Sequence, residues 1–313
     1  MKMQKRTAVI AGVLALVIVV TGTVAGVYLL DSSKSNQPTQ VQIVAGENFW
    51  GSLVSQLGGT RVQILSIVTD PNADPHEYES STADARAIAD ARLVIVNGAG
   101  YDDWALHLIG ASENPARTVL NIADLLRKGV GDNPHFWYSP AYVNETVRQM
   151  YADLVSIDSA GRVYYQQQYA SLNVSLDRYN ARIDQIRRQY GGTSVASTET
   201  IFQYLADATG LNLISPLEFM QAVSEGNDPS PQSVVQFYQQ IVNASSPGNA
   251  TLLVYNQQTV TPITTNVESK ASSDGLQIVP VTETIQPPDR SFQDWMDSEL
   301  VLLQNALNAA SGR

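Results

Sequence analysis

The 313-residue chain contains no cysteine. That excludes disulfides, cysteine-ligated zinc sites and iron–sulfur clusters. It also excludes an N-terminal lipid anchor, which needs a cysteine after the leader. Any metal site must therefore draw on histidine, carboxylates, carbonyls or water. Histidine is scarce, with three in the whole chain. Basic residues are few as well, 19 against 30 acidic ones, for a net charge of −11. So acidic a chain lacks the basic footprint of a nucleic-acid binder, which argues against a nucleic-acid partner. It favours cationic over anionic ligands. Neither a His-Glu-x-x-His motif nor a serine-centred nucleophile elbow is present, so two familiar hydrolase signatures are missing. The composition is otherwise globular, 44% apolar and 16% charged. Its length suits a two-lobed unit, or two domains of about 130 residues each.

A single uncharged apolar run, residues 8–30, follows Lys2, Lys5 and Arg6. As a helix it would rise about 35 Å, enough to cross a bilayer core of about 30 Å. Signal-peptide cores are shorter, roughly 7–15 residues. The length favours a retained membrane anchor. A cleaved signal peptide is the alternative, with Thr23-Val24-Ala25 as a poor cleavage site. In either case the basic flank, residues 1–7, stays cytoplasmic and the rest is exported. Residues 31–40 (DSSKSNQPTQ) then read as a flexible tether. Asn144, Asn173, Asn243 and Asn249 head Asn-x-Ser/Thr triplets that an exported protein could carry glycosylated. Triplets of this kind also arise by chance in a chain rich in Asn, Ser and Thr.

From residue 41 onward, short β-branched runs alternate with helical patterns. Strands are expected at 41–45, 62–68, 93–96 and 118–122. A helix through Phe49, Leu53 and Leu57 should stop at Gly58-Gly59, and Thr82 should cap a helix through Ile88. The order β-α-β-α predicts a parallel sheet with helices on both faces. Asp158 then reads as the N-cap of a long helix. Tyr165, Tyr169, Leu172, Leu176, Tyr179, Ile183, Ile186 and Tyr190 recur at intervals of 4, 3, 4, 3, 4, 3 and 4, one apolar stripe on one helix. The stripe could be a coiled-coil seam between chains. It fits better a helix lying along both lobes of a single molecule. After Gly191-Gly192 the alternation resumes, with strands at 194–197, 211–214, 252–255 and 278–281. Helices are expected at 200–208, 231–242, 262–273 and 292–309. The fold class is therefore α/β: an N-terminal lobe over 41–158, a linking helix over 159–190 and a C-terminal lobe over 191–313. Each lobe is a mainly parallel sheet, and a transmembrane segment precedes them. Ligands in such sheets gather at the carboxyl ends of the strands, and a cleft between lobes is a common binding position.

Two of the three histidines sit in matching contexts, Asp74-Pro75-His76-Glu77-Tyr78 and Asn133-Pro134-His135-Phe136-Trp137. Each lies beyond a predicted strand, and each is stiffened by the proline before it. Neutral imidazole is a common ligand for divalent transition metals. His107 lies in a helical stretch and reads as structural. The motifs at 74–78 (DPHEY), 133–140 (NPHFWYSP), 197–211 (STETIFQYLADATGL), 228–235 (DPSPQSVV) and 280–285 (PVTETI) occur in this order around the long helix. With them the chain resembles the metal-binding cluster of ABC-importer solute-binding proteins, which serve zinc, manganese or iron uptake.

That resemblance implies a metal-binding importer subunit rather than an enzyme. It implies His76 and His135 as ligands from the first lobe, and Glu199 and Glu283 as ligands from the second. Glu199 stands where the family has His in zinc importers or Glu in manganese importers. Glu283 stands where the family usually has Asp. Two carboxylates would balance a divalent charge and limit the cost of burying it. One-oxygen carboxylates would give the four-coordination that zinc prefers, and two-oxygen binding would approach the six that manganese or iron(II) accept. The family's implied partners are a membrane permease and a cytoplasmic ATPase, and the protein itself would be a monomer. Rival readings are a metal-dependent hydrolase, a metal-dependent surface adhesin, and a binder of another small solute.

Overall fold

The computed structural model describes residues 40–70, 78–242, 246 and 248–312. His76, the apolar run 8–30 and most of the tether lie outside them. Among the described residues no helix is long and apolar enough to cross a membrane.

The first sheet holds β1 (Val41–Glu47), β2 (Val62–Val68), β3 (Leu93–Val96) and β4 (Thr118–Asn121), all parallel, in the order β2-β1-β3-β4. Its strands alternate between two cores, as period-2 side chains must when both faces are covered. Ile43, Ala45, Leu93 and Ile95 join one cluster, and Val44, Val94 and Val96 join another. Helices α1 (Asn48–Gly58), α2 (Thr82–Asp90), α3 (Asp103–Ala111), α4 (Ile122–Leu126) and α5 (Pro140–Ile157) complete this half.

The second sheet repeats the scheme. It holds β5 (Ser194–Ser197), β6 (Asn212–Leu213), β7 (Leu252–Asn256) and β8 (Gln277–Val281), parallel and in the order β6-β5-β7-β8. Leu252 and Val254 face one cluster and Leu253 the other. Between the halves comes α6 (Arg162–Tyr190), 29 residues long, after one 3-10 turn at Ser159–Gly161. At 1.5 Å per residue it spans about 44 Å. Its predicted stripe is buried throughout except for Tyr169, which is half-buried. The second half is completed by α7 (Gln203–Thr209), α8 (Leu217–Ser224), α9 (Pro231–Ile241), α10 (Pro262–Ser273) and α11 (Phe292–Ala310). The α6 stripe packs on α1 and α5 on one side and on α7 and α11 on the other. One apolar cluster thus runs continuously through both halves.

Several local details differ from the sequence reading. Ser81, not Thr82, caps α2: its hydroxyl accepts from the Ala83 and Asp84 amides, and the Asp84 carboxylate returns a bond to the Ser81 amide. Asp158 does not cap α6, because the 3-10 turn intervenes and makes Gly161 the cap residue. Its carboxylate instead accepts from Arg61 Nε at 2.8 Å and from the Tyr165 hydroxyl at 2.8 Å. Ile122 leaves β4 and begins α4. Helix α5, opened by the Ser139 cap and Pro140, and α8, opened after Pro216, were not foreseen.

A buried polar network ties the halves near β8. The Glu299 carboxylate on α11 accepts from the Tyr138 hydroxyl at 2.7 Å and from the Thr282 amide at 2.9 Å. The Tyr138 hydroxyl also lies 2.8 Å from the Thr282 carbonyl. Burial is the main cause that raises the Glu299 carboxyl to about 7.

Two predictions follow from packing and burial. At Gly58, an added Cβ would meet the Val62 methyls at 2.3 and 2.4 Å, whereas at Gly110 it would meet nothing within 4 Å. Gly58→Ala should therefore cost about 1–3 kcal/mol, and Gly110→Ala should stabilise α3 by about 0.5–1 kcal/mol, read by urea unfolding. The second concerns pH. Because the Glu299 carboxyl sits higher when folded, its contribution is full below about 4.5 and lost as pH rises through about 7. That loss is on the order of 3 kcal/mol. The stability of the metal-free parent, relative to Glu299→Gln, should fall by this amount between pH 4.5 and 8. Parallel slopes for the two proteins would contradict it.

Candidate metal centre

In a parallel sheet every strand ends on the same edge, so the loops after the strands converge there. Here both sheets bring polar residues to those ends. Glu47 closes β1, Asn97 follows β3, and the loop beyond β4 and α4 carries His135. On the second sheet Glu199 follows β5, Asn256 closes β7 and Glu283 follows β8. Three of the four predicted ligands meet: ligand atoms of His135, Glu199 and Glu283 all lie within 4.8 Å of one another, and all three residues are fully buried. The fourth, His76, lies outside the described residues. His107 is exposed on α3 and belongs to no such group among the described residues.

His135 is oriented by its own loop. Its amide and its Nδ1 both donate to Asn133 Oδ1, at 3.1 and 2.7 Å. With Nδ1 committed as a donor, Nε2 carries the lone pair, the tautomer a metal ligand needs. The Asn133 amide in turn donates to the Thr200 carbonyl at 2.8 Å, next to Glu199, so this support crosses from the first half to the second. The Tyr204 hydroxyl donates to the Asn133 carbonyl at 2.9 Å. The Trp137 ring packs edge-on against His135 at 5.2 Å and stacks on Phe49 at 4.0 Å, an aromatic wall behind the imidazole.

Glu199 sits in extended backbone just past β5, where the Thr198 amide donates to the Val254 carbonyl at 3.0 Å. The Ser197 hydroxyl donates to the Glu199 carbonyl at 2.8 Å. Glu283 is gripped more fully. Its Oε2 accepts from the Tyr101 hydroxyl at 2.6 Å, its Oε1 from Asn256 Nδ2 at 2.6 Å, and its amide donates to Gln258 Oε1 at 2.7 Å.

Two more acids lie close by. Glu47 is 1% exposed, and among the described residues no other residue's hydroxyl or amine donates to its carboxyl oxygens. Its neighbour is the Asp102 carboxylate. Burial first, then the Asp102 charge, push the Glu47 carboxyl well above the ordinary range, so it keeps a proton that can bridge to Asp102. Burial raises Asp102 to about 6, and the Gly98 and Asn97 amides oppose the rise by donating at 2.7 and 2.6 Å.

One imidazole and two carboxylates, buried together, suit a divalent cation in both charge and donor type. A cavity of about 580 Å³ lies beside this cluster, lined by Tyr101, Asn133, Thr200, Tyr204, Gln221 and Glu225 among others. The sequence reading named His135, Glu199 and Glu283 as candidate ligands, quoted Asn133 only as part of the motif at 133–140, and did not single out Tyr101, Asn256, Gln258 or Glu47. A polar residue at the carboxyl end of a buried strand, as Glu47 and Asn256 are, was the available signal.

The chain resembles known proteins along most of this fold. A manganese-binding lipoprotein, MntA, from Halalkalibacterium halodurans is 28% identical over 152 residues, covering 48% of this chain and 50% of that protein. The chain spans 50% to 63% of the length of the curated relatives it matches. Among solved structures, a crystal structure of ZnuA superposes with a TM-score of 0.67 at 22% identity, covering 87% of this chain and 99% of that one. FpvC from Pseudomonas aeruginosa, solved in complex with Mn²⁺, gives a TM-score of 0.71 at 18% identity and covers 87% of this chain and 100% of that one. These likenesses establish the fold. The family model described as zinc-uptake complex component A, periplasmic (ZnuA), matches residues 43–306, and the chain belongs to that family.

Proposed function

We propose that this protein is the extracytoplasmic solute-binding component of an ABC importer and captures one divalent transition-metal ion as its cargo. The observation that carries the reading is the buried meeting of His135, Glu199 and Glu283, with the His135 Nδ1 committed to Asn133. The two carboxylates offset the charge of the ion, and the imidazole supplies a nitrogen donor suited to zinc, manganese or iron. His76 is proposed as the fourth ligand, entering from the first half. The ion is then held between an N-terminal lobe and a C-terminal lobe, with α6 lying along both. A helix packed so continuously favours a modest shift of the lobes on binding rather than a wide closure.

The partners follow from that role. The loaded protein would dock on a membrane permease, and ATP hydrolysis by a cytoplasmic subunit would drive release. Residues 8–30 are proposed as an anchor that keeps a monomeric binding domain outside the cytoplasm. A four-ligand site leaves no open position for an activated water, so the reading is of a binding protein and not of an enzyme.

The test is metal titration of a soluble chain starting near Gln40, followed by calorimetry and thermal unfolding. Zinc, manganese or iron(II) should bind 1:1, and at 100 times Kd should stabilise the fold by about 2.7 kcal/mol. His135→Ala and Glu199→Ala should each weaken binding by about 100-fold or more, since loss of a supporting group alone costs roughly 10- to 100-fold. His76→Ala should do the same. If no divalent ion stabilises the parent, or if the three variants bind like it, the reading is wrong.

A further inference from the structure

Two of the ligand positions lean on one short stretch, residues 97–102, between β3 and α3. At its start, the Asn97 side-chain nitrogen donates to the Pro134 carbonyl at 2.9 Å, immediately before His135. That amide cannot be reversed without loss, because Trp50 Nε1, which can only donate, donates to Asn97 Oδ1 at 3.2 Å. Near the other end, the Tyr101 hydroxyl donates to Glu283 Oε2 at 2.6 Å. The stretch thus touches a ligand loop of its own half and a ligand side chain of the other half.

Its backbone is unusual. Gly98, Ala99 and Gly100 have φ of +75°, +56° and +88°, three successive residues in the left-handed region. Such a run is strained for Ala99 and persists only where the surroundings fix it. Asp102 fixes it. Its fully buried carboxylate turns back along the chain and accepts from the Asn97 and Gly98 amides at 2.6 and 2.7 Å. The Tyr101 amide closes the turn on the Gly98 carbonyl at 3.1 Å, and the Ala123 amide on α4 holds the Asn97 carbonyl at 2.9 Å. Strand β1 lies against Asp102. Gly46 leaves room for that approach, since a Cβ there would stand 3.0 Å from Asp102 Oδ2. The next residue, Glu47, is buried with its proton kept on and hydrogen-bonds the Asp102 carboxylate.

We infer that Glu47 and Asp102 are positioning residues for metal capture: they fix residues 97–102, and that stretch sets the His135 loop through Asn97 and the Glu283 carboxylate through Tyr101. The inference rests on the metal-capture reading and deepens it. Neither acid belongs to the group formed by His135, Glu199 and Glu283, so their hold on the ion passes through Asn97 and Tyr101. Without Asp102 the Asn97 and Gly98 amides lose their acceptor, which buried amides rarely tolerate. The left-handed run then relaxes, carrying the Tyr101 hydroxyl away from Glu283 and Asn97 away from Pro134. The part of Glu47 is to supply a donor. A buried carboxylate is costly unless enough donors reach it, and the Glu47 proton adds a third to the two amides. A glutamine at position 47 would offer a donor at the same reach, and a leucine would not.

The test measures zinc(II) and manganese(II) affinities of the full chain by competition with a chelator, with the thermal midpoint of each metal-free protein beside them. Tyr101→Phe should weaken binding about ten-fold, and Asp102→Ala about ten-fold or more, as for other outer supports of metal ligands. Because Asp102 acts through Tyr101, the variant carrying both changes should bind within about three-fold of Asp102→Ala alone. Glu47→Leu should lose about ten-fold, and Glu47→Gln should recover most of that loss. If Asp102→Ala does not fold, Asp102→Asn, which keeps one acceptor oxygen, takes its place in the cycle. Acids with a merely structural role would lower the metal-free midpoint and leave the affinity of the folded protein alone, which would overturn the inference. Losses that multiply in the double variant, or a Glu47→Gln as weak as Glu47→Leu, would overturn it too, while leaving metal capture intact. A parent that binds neither ion would overturn the metal-capture reading and the positioning role with it.

Discussion

Burying carboxylates is costly, and this molecule buries several within one small volume. Glu199 and Glu283 have no exposed surface, and Glu47 has almost none. An uncompensated buried charge costs several kcal/mol, so such a cluster persists only where donors, protons or a cation answer it. The chain uses more than one answer. Glu283 receives a hydrogen bond at each oxygen, and Glu47 keeps its proton beside Asp102. Glu199, Glu283 and His135 meet as a group that could hold a metal ion, and the divalent ion proposed as cargo would answer their charge. Much of the rest of the structure serves to bring these groups together and keep them dry.

The fold supplies the convergence. Two parallel four-stranded sheets with the same strand order direct their carboxyl ends toward one region. The long helix α6 packs on elements of both halves, so one apolar cluster continues from the first sheet to the second. That continuity explains how hydrogen bonds of 2.6–2.8 Å can cross between the halves, from Tyr101 to Glu283, from Asn133 to Thr200 and from Tyr138 to Thr282. Such bonds tolerate little relative displacement. The aromatic wall of Phe49, Trp137 and Tyr101 keeps water from the back of the imidazole, which strengthens every electrostatic interaction in front of it.

Much of this was legible in the order of residues, for reasons that can be named. Strand and helix positions followed from apolar periodicity, which reports burial directly. The α6 stripe was readable because a helix buried along one face must repeat every three or four residues. Where the reading slipped, local chemistry had more than one solution. Ser81 and Thr82 are both good caps, and the choice fell to the residue three positions before Asp84, which could close the box. Asp158 had the composition of a cap, yet Arg61 and Tyr165, distant in sequence, took its carboxylate.

The sequence by itself determined the α/β class, the long helix, and the residue types available for a metal, since a chain with no cysteine and three histidines leaves few donors. The Pro-His and Thr-Glu-Thr motifs were visible in it because each is local. Only the tertiary structure decided that His135, Glu199 and Glu283 meet, which nitrogen of His135 is committed, and that Tyr101, Asn256 and Asn133 hold them. Those partners are separated by as many as 182 positions along the chain, as Tyr101 and Glu283 are. A hydrogen bond depends on where two folded halves place a donor and an acceptor. No periodicity records that, so it is set by packing.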